Sequence, residues 1–283
     1  MRYCFLRFPE GKLKALTLSY DDGVRADLRL AAILDKYGMK CTFNLNCTLG
    51  NQNKMTVEEV KENILAKGHE IAVHGERHMA PGVAQPHLVI RDMQRCREKL
   101  EDDFGIFVRG MAYPDSGITK MHGGNSYPVI REYLKDLGIV YSRTLGGDNS
   151  RFMLPEDFLA WMPNAHHRNP KLMEFANSFL SVKESDLYSA RRHPMLFYLW
   201  GHSYEFDNDN NWCVIEQFCE AVSGKDDIWY ATNMEIYEYA TAFNSLVFSA
   251  NGNKIYNPTL KTIWMDIDAT PCKIEPGETI EVK

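Results

Sequence analysis

Residues 14–23, KALTLSYDDG, decide the fold because they join an apolar strand to an abrupt polar end. The run over residues 14–20 is rich in apolar and hydroxyl side chains, which predicts a buried strand. Two aspartates and a glycine end it, and the apolar spacing over residues 26–37 then predicts a helix. The stretch is therefore one strand–loop–helix unit.

The same unit recurs along the chain. Alternating strands and helices imply parallel pairing, because parallel neighbours cannot be joined by a tight turn. Roughly seven such units favour a closed (β/α) barrel over an open sheet. The other predicted strands cover residues 41–46, 70–74, 110–113, 140–143, 161–162, 195–200 and 229–232. The other predicted helices cover residues 56–67, 86–104, 126–137, 169–182, 212–222 and 233–244.

After residue 243 the periodicity changes from helical to strand-like. Asn251-Gly252 stands between β-rich flanks, which predicts a hairpin, and further strands are predicted at 262–268 and 274–282. We therefore predict a (β/α) barrel over residues 1–245 and a small, accessory C-terminal β appendage over residues 246–283.

Composition excludes several classes of protein. The 283 residues are 45% hydrophobic, enough for a large core, and the net charge of −6 is spread without long like-charged blocks, so nucleic acid is not an expected partner. No apolar run reaches the roughly 20 residues that span a bilayer, and the start lacks the apolar run of an export signal. Seven scattered cysteines without a C-x-x-C pair suggest reduced thiols. We expect a soluble, cytoplasmic protein.

Polar side chains follow the predicted strands directly, at the end of a barrel where active sites are built. Asp21 and Asp22 are adjacent carboxylates, a costly arrangement that is tolerable when one binds a cation and the other acts as a base. The alternative is a helix cap beside a solvated residue. His74 and His78, four residues apart, could converge on a metal ion and complete a two-histidine, one-carboxylate site with Asp22.

His202 follows the most apolar strand, and aromatic and acidic side chains flank it. A histidine in this position could protonate a leaving group, although a hydrogen-bonded structural role is the alternative. His166 and His167 follow the predicted strand at 161–162 and could face either the pocket or the surface.

The order of these motifs resembles the NodB-homology polysaccharide deacetylases, which are also classed as carbohydrate esterase family 4. SYDDG is similar to the family's T-F-D-D-G, HGERH to its H-S/T-x-x-H and LWGHS to its L-x-x-H, over about residues 14–232. The resemblance implies a distorted barrel of seven or eight strands and a metal-dependent hydrolase. It also implies removal of acetyl groups from N- or O-acetylated sugars.

Matched residue by residue, the resemblance implies Asp21 as general base and His202 as general acid. It implies Asp22, His74 and His78 as ligands of a divalent metal. Two histidines and a carboxylate suit zinc best, while cobalt, nickel, manganese or iron would also fit.

The third family motif, R-P-P-Y, departs in RGMAYPDSG at residues 109–117, because Ala112 takes the place of its arginine. Arg109 is a possible substitute that would support the base. The fourth motif is matched only loosely, by Asp148, Asp157 and Trp161. The possible substrate or oxyanion contacts are Tyr113, Pro114, Asp115 and Trp161.

Two other functions remain open. The first is hydrolysis of a small cyclic amide or ureide on the same scaffold. The second is non-catalytic carbohydrate binding, against which the combination of a base and an acid argues, since a binding protein needs neither. The expected partner is therefore an acetylated carbohydrate or a small amide.

Overall fold

The computed structural model describes residues 3–51, 53–121 and 123–282. The strands are β1 (Cys4–Arg7), β2 (Lys14–Asp21), β3 (Thr42–Leu45), β4 (Glu70–Val73), β5 (Gly110–Ala112), β6 (Tyr141–Arg143), β7 (Ala165–His166), β8 (Met195–Gly201), β9 (Ile228–Tyr230), β10 (Val247–Phe248), β11 (Lys254–Tyr256), β12 (Ile263–Ile267), β13 (Thr270–Ile274) and β14 (Thr279–Glu281). The α-helices are α1 (Ala26–Lys36), α2 (Val57–Asn63), α3 (Pro86–Phe104), α4 (Tyr127–Asp136), α5 (Leu172–Ser181), α6 (Tyr204–Asn208), α7 (Cys213–Val222) and α8 (Asn233–Asn244). Among the described residues, no helix is long and apolar enough to cross a membrane.

The main sheet is parallel and has the strand order β6-β5-β4-β3-β2-β8-β7. Strand β2 lies in the interior of this sheet and is buried over its whole length, including its polar residues Lys14, Thr17 and Ser19. Strand β9 pairs with the first half of β2, and β3 pairs with the second half. The curled parallel sheet with its crossover helices confirms the predicted distorted (β/α) barrel.

A short segment links the two ends of this curled sheet. The backbone N–H of Trp161 donates to Ser142 O at 3.0 Å, and Thr144 N–H donates to Trp161 O at 2.9 Å. Four residues later Ala165 pairs with Leu199 of β8. The strand predicted at 161–162 is thus a single bridge to β6, and the strand proper is β7.

The predicted helix start at Thr56 is confirmed. The hydroxyl of Thr56 accepts the backbone N–H of Glu59 at 3.1 Å, and the Glu59 carboxylate accepts the backbone N–H of Thr56 at 2.9 Å. This reciprocal capping satisfies two helix N–H groups that would otherwise lack partners. Thr232 and Glu235 cap α8 in the same way.

The boundary between barrel and appendage differs from the prediction. Strand β1 pairs antiparallel with β12, and β12 pairs with β13, so the beginning of the described chain belongs to the C-terminal sheet. Ile263, Met265 and Ile274 pack in one apolar cluster with Leu196 and Tyr198 of β8. The C-terminal strands therefore cover part of the barrel. Residues 1, 2, 52, 122 and 283 of the predicted ranges lie outside the described residues.

A buried ionic network joins these strands to the barrel. The Asp266 carboxylate, which is fully buried, accepts from Arg7 at 3.1 Å and from Arg192 at 2.9 Å. Both arginines also pair with Glu184. Because the network spans three distant parts of the chain, it ties the termini to the loop that precedes β8.

Replacing Asp266 by alanine should destabilise the fold strongly, because the buried Arg7 and the largely buried Arg192 would lose a shared partner. Breaking a buried pair in this way typically costs about 3–5 kcal/mol of unfolding free energy. Denaturant titration of Asp266→Ala measures the loss. Lys273→Ala, which removes the exposed pair with Glu275, is the control and should leave stability nearly unchanged. Equal stability of both variants would contradict the network's role.

Candidate active site

The motif residues meet at the carboxyl ends of the central strands. Asp21 ends β2, His74 follows β4, Arg143 ends β6 and His202 follows β8. Carboxyl ends of parallel strands lie at one face of a barrel, where loops build the active site. The structure thus brings distant motifs to one place.

Asp22, His74 and His78 form a compact group of metal-binding side chains. Asp22 Oδ1 lies 3.9 Å from His74 Nε2 and 3.9 Å from His78 Nε2. One ligand atom from each residue lies within 4.8 Å of the others. Two imidazoles and a carboxylate suit zinc and similar divalent ions.

The environment of His74 also fits a metal ligand. Its Nδ1 lies 2.9 Å from Ala112 O, so Nδ1 carries the proton and donates to the carbonyl. The lone pair is therefore on Nε2, which is buried and has no hydrogen-bond partner in the described structure. A carbonyl that orients a ligand histidine in this way is usual at metal sites.

The loop between the two histidines is shaped by Asp92 of α3. The Asp92 carboxylate accepts the backbone N–H of Arg77 at 2.6 Å. Gly75 has φ +78°, and a Cβ there would lie 2.4 Å from Asp92 Oδ2. Glycine is therefore required in the middle of the motif, both for the backbone conformation and for space.

Asp21 is the buried carboxylate at the centre of the site. Asn44 donates to its Oδ1 at 2.8 Å, and the Arg143 guanidinium donates to its Oδ2. Burial alone would raise the pKa of Asp21, but Arg143 and the nearby His74 outweigh it and lower the pKa. Asp21 is therefore a carboxylate at neutral pH.

The arginine beside Asp21 is Arg143, which corrects the suggestion of Arg109. Arg109 is exposed and precedes β5, whereas Arg143 is fully buried at the end of the neighbouring strand β6. The Arg143 guanidinium also lies 4.1 Å from the ring centre of Trp200, which holds its plane. The arginine that supports Asp21 therefore lies at the end of β6, the strand next to β5.

Replacing Arg143 by methionine should lower kcat about tenfold to a hundredfold with little change in KM, because Asp21 would lose its main positioning partner. Arg109→Met is the matched control and should keep full activity. Steady-state kinetics on protein of verified fold makes the comparison. Equal losses in both variants would remove the special role of Arg143.

His202 lies on the other side of Asp21, with its Nε2 3.8 Å from Asp21 Oδ2. Its Nδ1 lies 3.4 Å from Glu205 Oε2. Burial lowers the pKa of His202, but Glu205 and Asp21 raise it by more, so its pKa is raised. The ring therefore presents Nε2 to the reaction centre and Nδ1 to a carboxylate.

The sequence left it open whether His166 and His167 face the pocket or the surface. In the structure both face Glu205. Each has its Nε2 3.2 Å from Glu205 Oε2. His167 is buried against Phe206, and His166 is partly exposed against Trp200. Neither is a simple surface residue.

The suggested substrate contacts of the third and fourth motifs lie mostly in the core. Tyr113 is buried and donates its hydroxyl to Leu159 O at 2.7 Å. Trp161 is also buried and packs edge-on against Tyr141 and Tyr198. Their side chains therefore do not form the pocket surface. Among the other residues of these two motifs, Pro114 is buried, Asp115 and Asp148 are exposed, and Asp157 caps a helix.

Asp27 is a buried carboxylate behind the site that the sequence did not single out. It accepts the Ser203 hydroxyl at 2.6 Å. Burial raises the pKa of Asp27 from its ordinary 3.8 to about 8. The folded state therefore favours the protonated acid.

In metal-free protein, Asp27 should contribute less and less stability as the pH rises from about 4 to about 8, because folding must then bury its charge. A carboxyl with a raised pKa contributes its full stability below its unfolded pKa and loses it through its folded pKa. Asp27→Asn stays neutral and keeps the Ser203 hydrogen bond, so its stability should depend less on pH. Chemical denaturation across this range tests the difference, and parallel curves would rule out the effect.

Comparisons with known proteins agree with this geometry. The family model described as polysaccharide deacetylase matches residues 9–141. A structure from Mycobacterium smegmatis, named as a polysaccharide deacetylase, is 18% identical with a TM-score of 0.59 and covers 86% of this chain and 96% of that one. A second such structure, from Pseudomonas aeruginosa PAO1, is 15% identical with a TM-score of 0.54 and covers 80% and 89%.

A third similar structure, Puue allantoinase, is 13% identical with a TM-score of 0.57 and covers 82% of this chain and 91% of that one. A comparison with curated proteins gives no match. At these identities the solved structures show the fold, while the matched motifs lie within the family model or at the same face of the barrel. Residues 9–141 therefore match the polysaccharide deacetylase family, as the motifs in that part of the chain predict.

Proposed function

We propose that the protein is a metal-dependent deacetylase that hydrolyses the acetyl amide or ester of an acetylated carbohydrate. The observation that carries the proposal is the placement of Asp21 between a metal-binding group on one side and His202 on the other. A base and an acid within about 4 Å of each other, beside a cation site, suit hydrolysis by water.

Asp22, His74 and His78 would hold the metal, because their ligand atoms converge and His74 Nε2 has no hydrogen-bond partner among the described residues. When bound, a divalent ion there supplies Lewis acidity, which polarises the acetyl carbonyl and lowers the pKa of water. The carboxylate of Asp22 is the sole anionic ligand of the three.

Asp21 takes the proton of the attacking water. It can do so because Arg143 keeps it ionised and Asn44 fixes its orientation. His202 then gives a proton from Nε2 to the departing amine or alcohol, and its Nδ1 lies 3.4 Å from Glu205 Oε2. Asp21 thus acts in the attack of water, and His202 acts in the departure of the leaving group.

The substrate class can be tested by comparing two chemistries on one preparation. Acetate release from N-acetylglucosamine oligosaccharides measures deacetylation, and ring opening of allantoin measures cyclic ureide hydrolysis. We expect acetate release that Asp21→Asn lowers about 10²–10⁴-fold and no ring opening. Ring opening without acetate release would favour the ureide alternative, and neither reaction would favour a carbohydrate-binding protein.

A further inference from the structure

Several nitrogen atoms surround one oxygen of Glu205. Oε2 lies 3.2 Å from His166 Nε2 and 3.2 Å from His167 Nε2. It also lies 3.4 Å from the Nδ1 of His202 and 3.3 Å from its backbone nitrogen. The other oxygen, Oε1, accepts from Arg168 at 2.7 Å.

Hydrogen bonds alone do not satisfy this group, because one carboxylate oxygen has only about two lone-pair directions. Within the described structure, both ring nitrogens of His167 and Nδ1 of His202 have no hydrogen-bond partner of good geometry. His167 is 2% exposed, so water does not replace such a partner. Since unpaired buried nitrogens are costly, their convergence indicates a binding site.

The spacing of the ligand atoms suits a tetrahedral metal ion. Ligands bound at about 2.0–2.1 Å in tetrahedral geometry lie about 3.4 Å from one another. His166 Nε2 and His202 Nδ1 lie 3.2 and 3.4 Å from Glu205 Oε2, and all three atoms are within 4.8 Å of each other. The distances from Asp22 Oδ1 to His74 Nε2 and His78 Nε2 are longer, at 3.9 Å each.

The neighbours of this group support a carboxylate that binds a cation. Arg168 holds the outer oxygen of Glu205, and His167 packs beside the inner one. The His167 ring is buried, and its Nε2 lies 3.2 Å from that inner oxygen. A neutral imidazole can donate a hydrogen bond to a metal-bound carboxylate, as partners around metal ligands usually do.

We propose that His166, His202 and Glu205 bind a second divalent transition-metal ion, for which zinc is the best match, with His202 contributing Nδ1. This site is separate from the group of Asp22, His74 and His78. The inference does not rest on the proposed deacetylation. A cation on Nδ1 leaves the ring proton of His202 on Nε2, the atom that faces Asp21.

Zinc stoichiometry of the full chain tests the second site. Elemental analysis and calorimetric titration with zinc alone should give two equivalents for the wild type. His78→Ala should keep only the zinc of the second site, and His166→Ala should keep only the zinc bound with Asp22. The double variant should bind no zinc at either site. His87→Ala, an exposed histidine on α3, is the control and should keep two. Loss of His166 should weaken the second equivalent at least about 100-fold.

Cobalt substitution gives a spectroscopic readout of the same question. The visible absorption of cobalt should rise through two equivalents in the wild type and through one in His166→Ala, with His166→Gln as a milder replacement. Saturation of the wild type at one equivalent, or two equivalents in folded His166→Ala, would overturn the second site. If the wild type binds one zinc and releases acetate, the second site is contradicted while the proposed function stands.

Discussion

Replacing His74 by alanine should remove the metal bound with Asp22 and His78 and lower acetate release at least about 10³-fold. Three protein ligands leave no redundancy in a site that must also bind water and substrate, and Lewis acidity contributes several kcal/mol to such reactions. Elemental analysis and initial rates on the same sample measure both effects. Because His74 is buried, His78→Ala, at a more exposed ligand, provides a second test with less risk to folding.

The matched control is Asp21→Asn, which should keep this metal while losing turnover. Loss of metal and loss of catalysis are thereby separated between variants of one site. Full metal occupancy of this site in folded His74→Ala or His78→Ala would contradict the ligand assignment.

Replacing His202 by alanine should lower the hydrolysis of N-acetyl sugars about 10²–10⁴-fold, the usual contribution of general acid catalysis. The variant should keep the metal at Asp22, His74 and His78, because His202 is not a ligand of that group. An alkylamine leaves poorly without a proton, whereas a nitrophenolate needs none. The loss should therefore be much smaller with 4-nitrophenyl acetate than with N-acetylglucosamine oligosaccharides.

The leaving-group comparison separates acid catalysis from a structural role. His87→Ala is the control for removal of an imidazole at an exposed position and should match the wild type on both substrates. Equal losses in His202→Ala on the ester and the amide would assign His202 a structural role. Unchanged rates on both would remove it from the site.

The barrel and the meeting of Asp21, Asp22, His74 and His202 could be predicted because their signals are local. Each motif follows an apolar strand directly, and parallel strands bring their carboxyl ends together whatever the sequence distance between them. Spacing and strand ends therefore determined the position of these side chains without tertiary detail.

Arg143 could not be chosen over Arg109 from spacing alone. Both arginines lie next to predicted strands, and which one reaches Asp21 depends on the curl of the sheet. One usable signal was present, since Arg143 ends its strand whereas Arg109 precedes one. That places Arg143, and not Arg109, at the face of the active site.

Strand β1 was missed for a different reason. Its partner is β12, with Cys4 opposite Ile267, so nothing near the four residues of β1 indicates the pairing. Trp161 was misjudged because a tryptophan in a short predicted strand suits a substrate platform and a core position equally. Its burial among Tyr141, Phe158 and Tyr198 results from contacts between distant segments.

The most direct test of the central claim is acetate release from N-acetylglucosamine oligosaccharides by one preparation, first stripped by a chelator and then reloaded with zinc. The account predicts acetate release that falls to background on stripping and returns on zinc addition in the wild type, but does not return in His78→Ala. Acetate release that persists after complete metal removal, or that returns fully in His78→Ala, would contradict it.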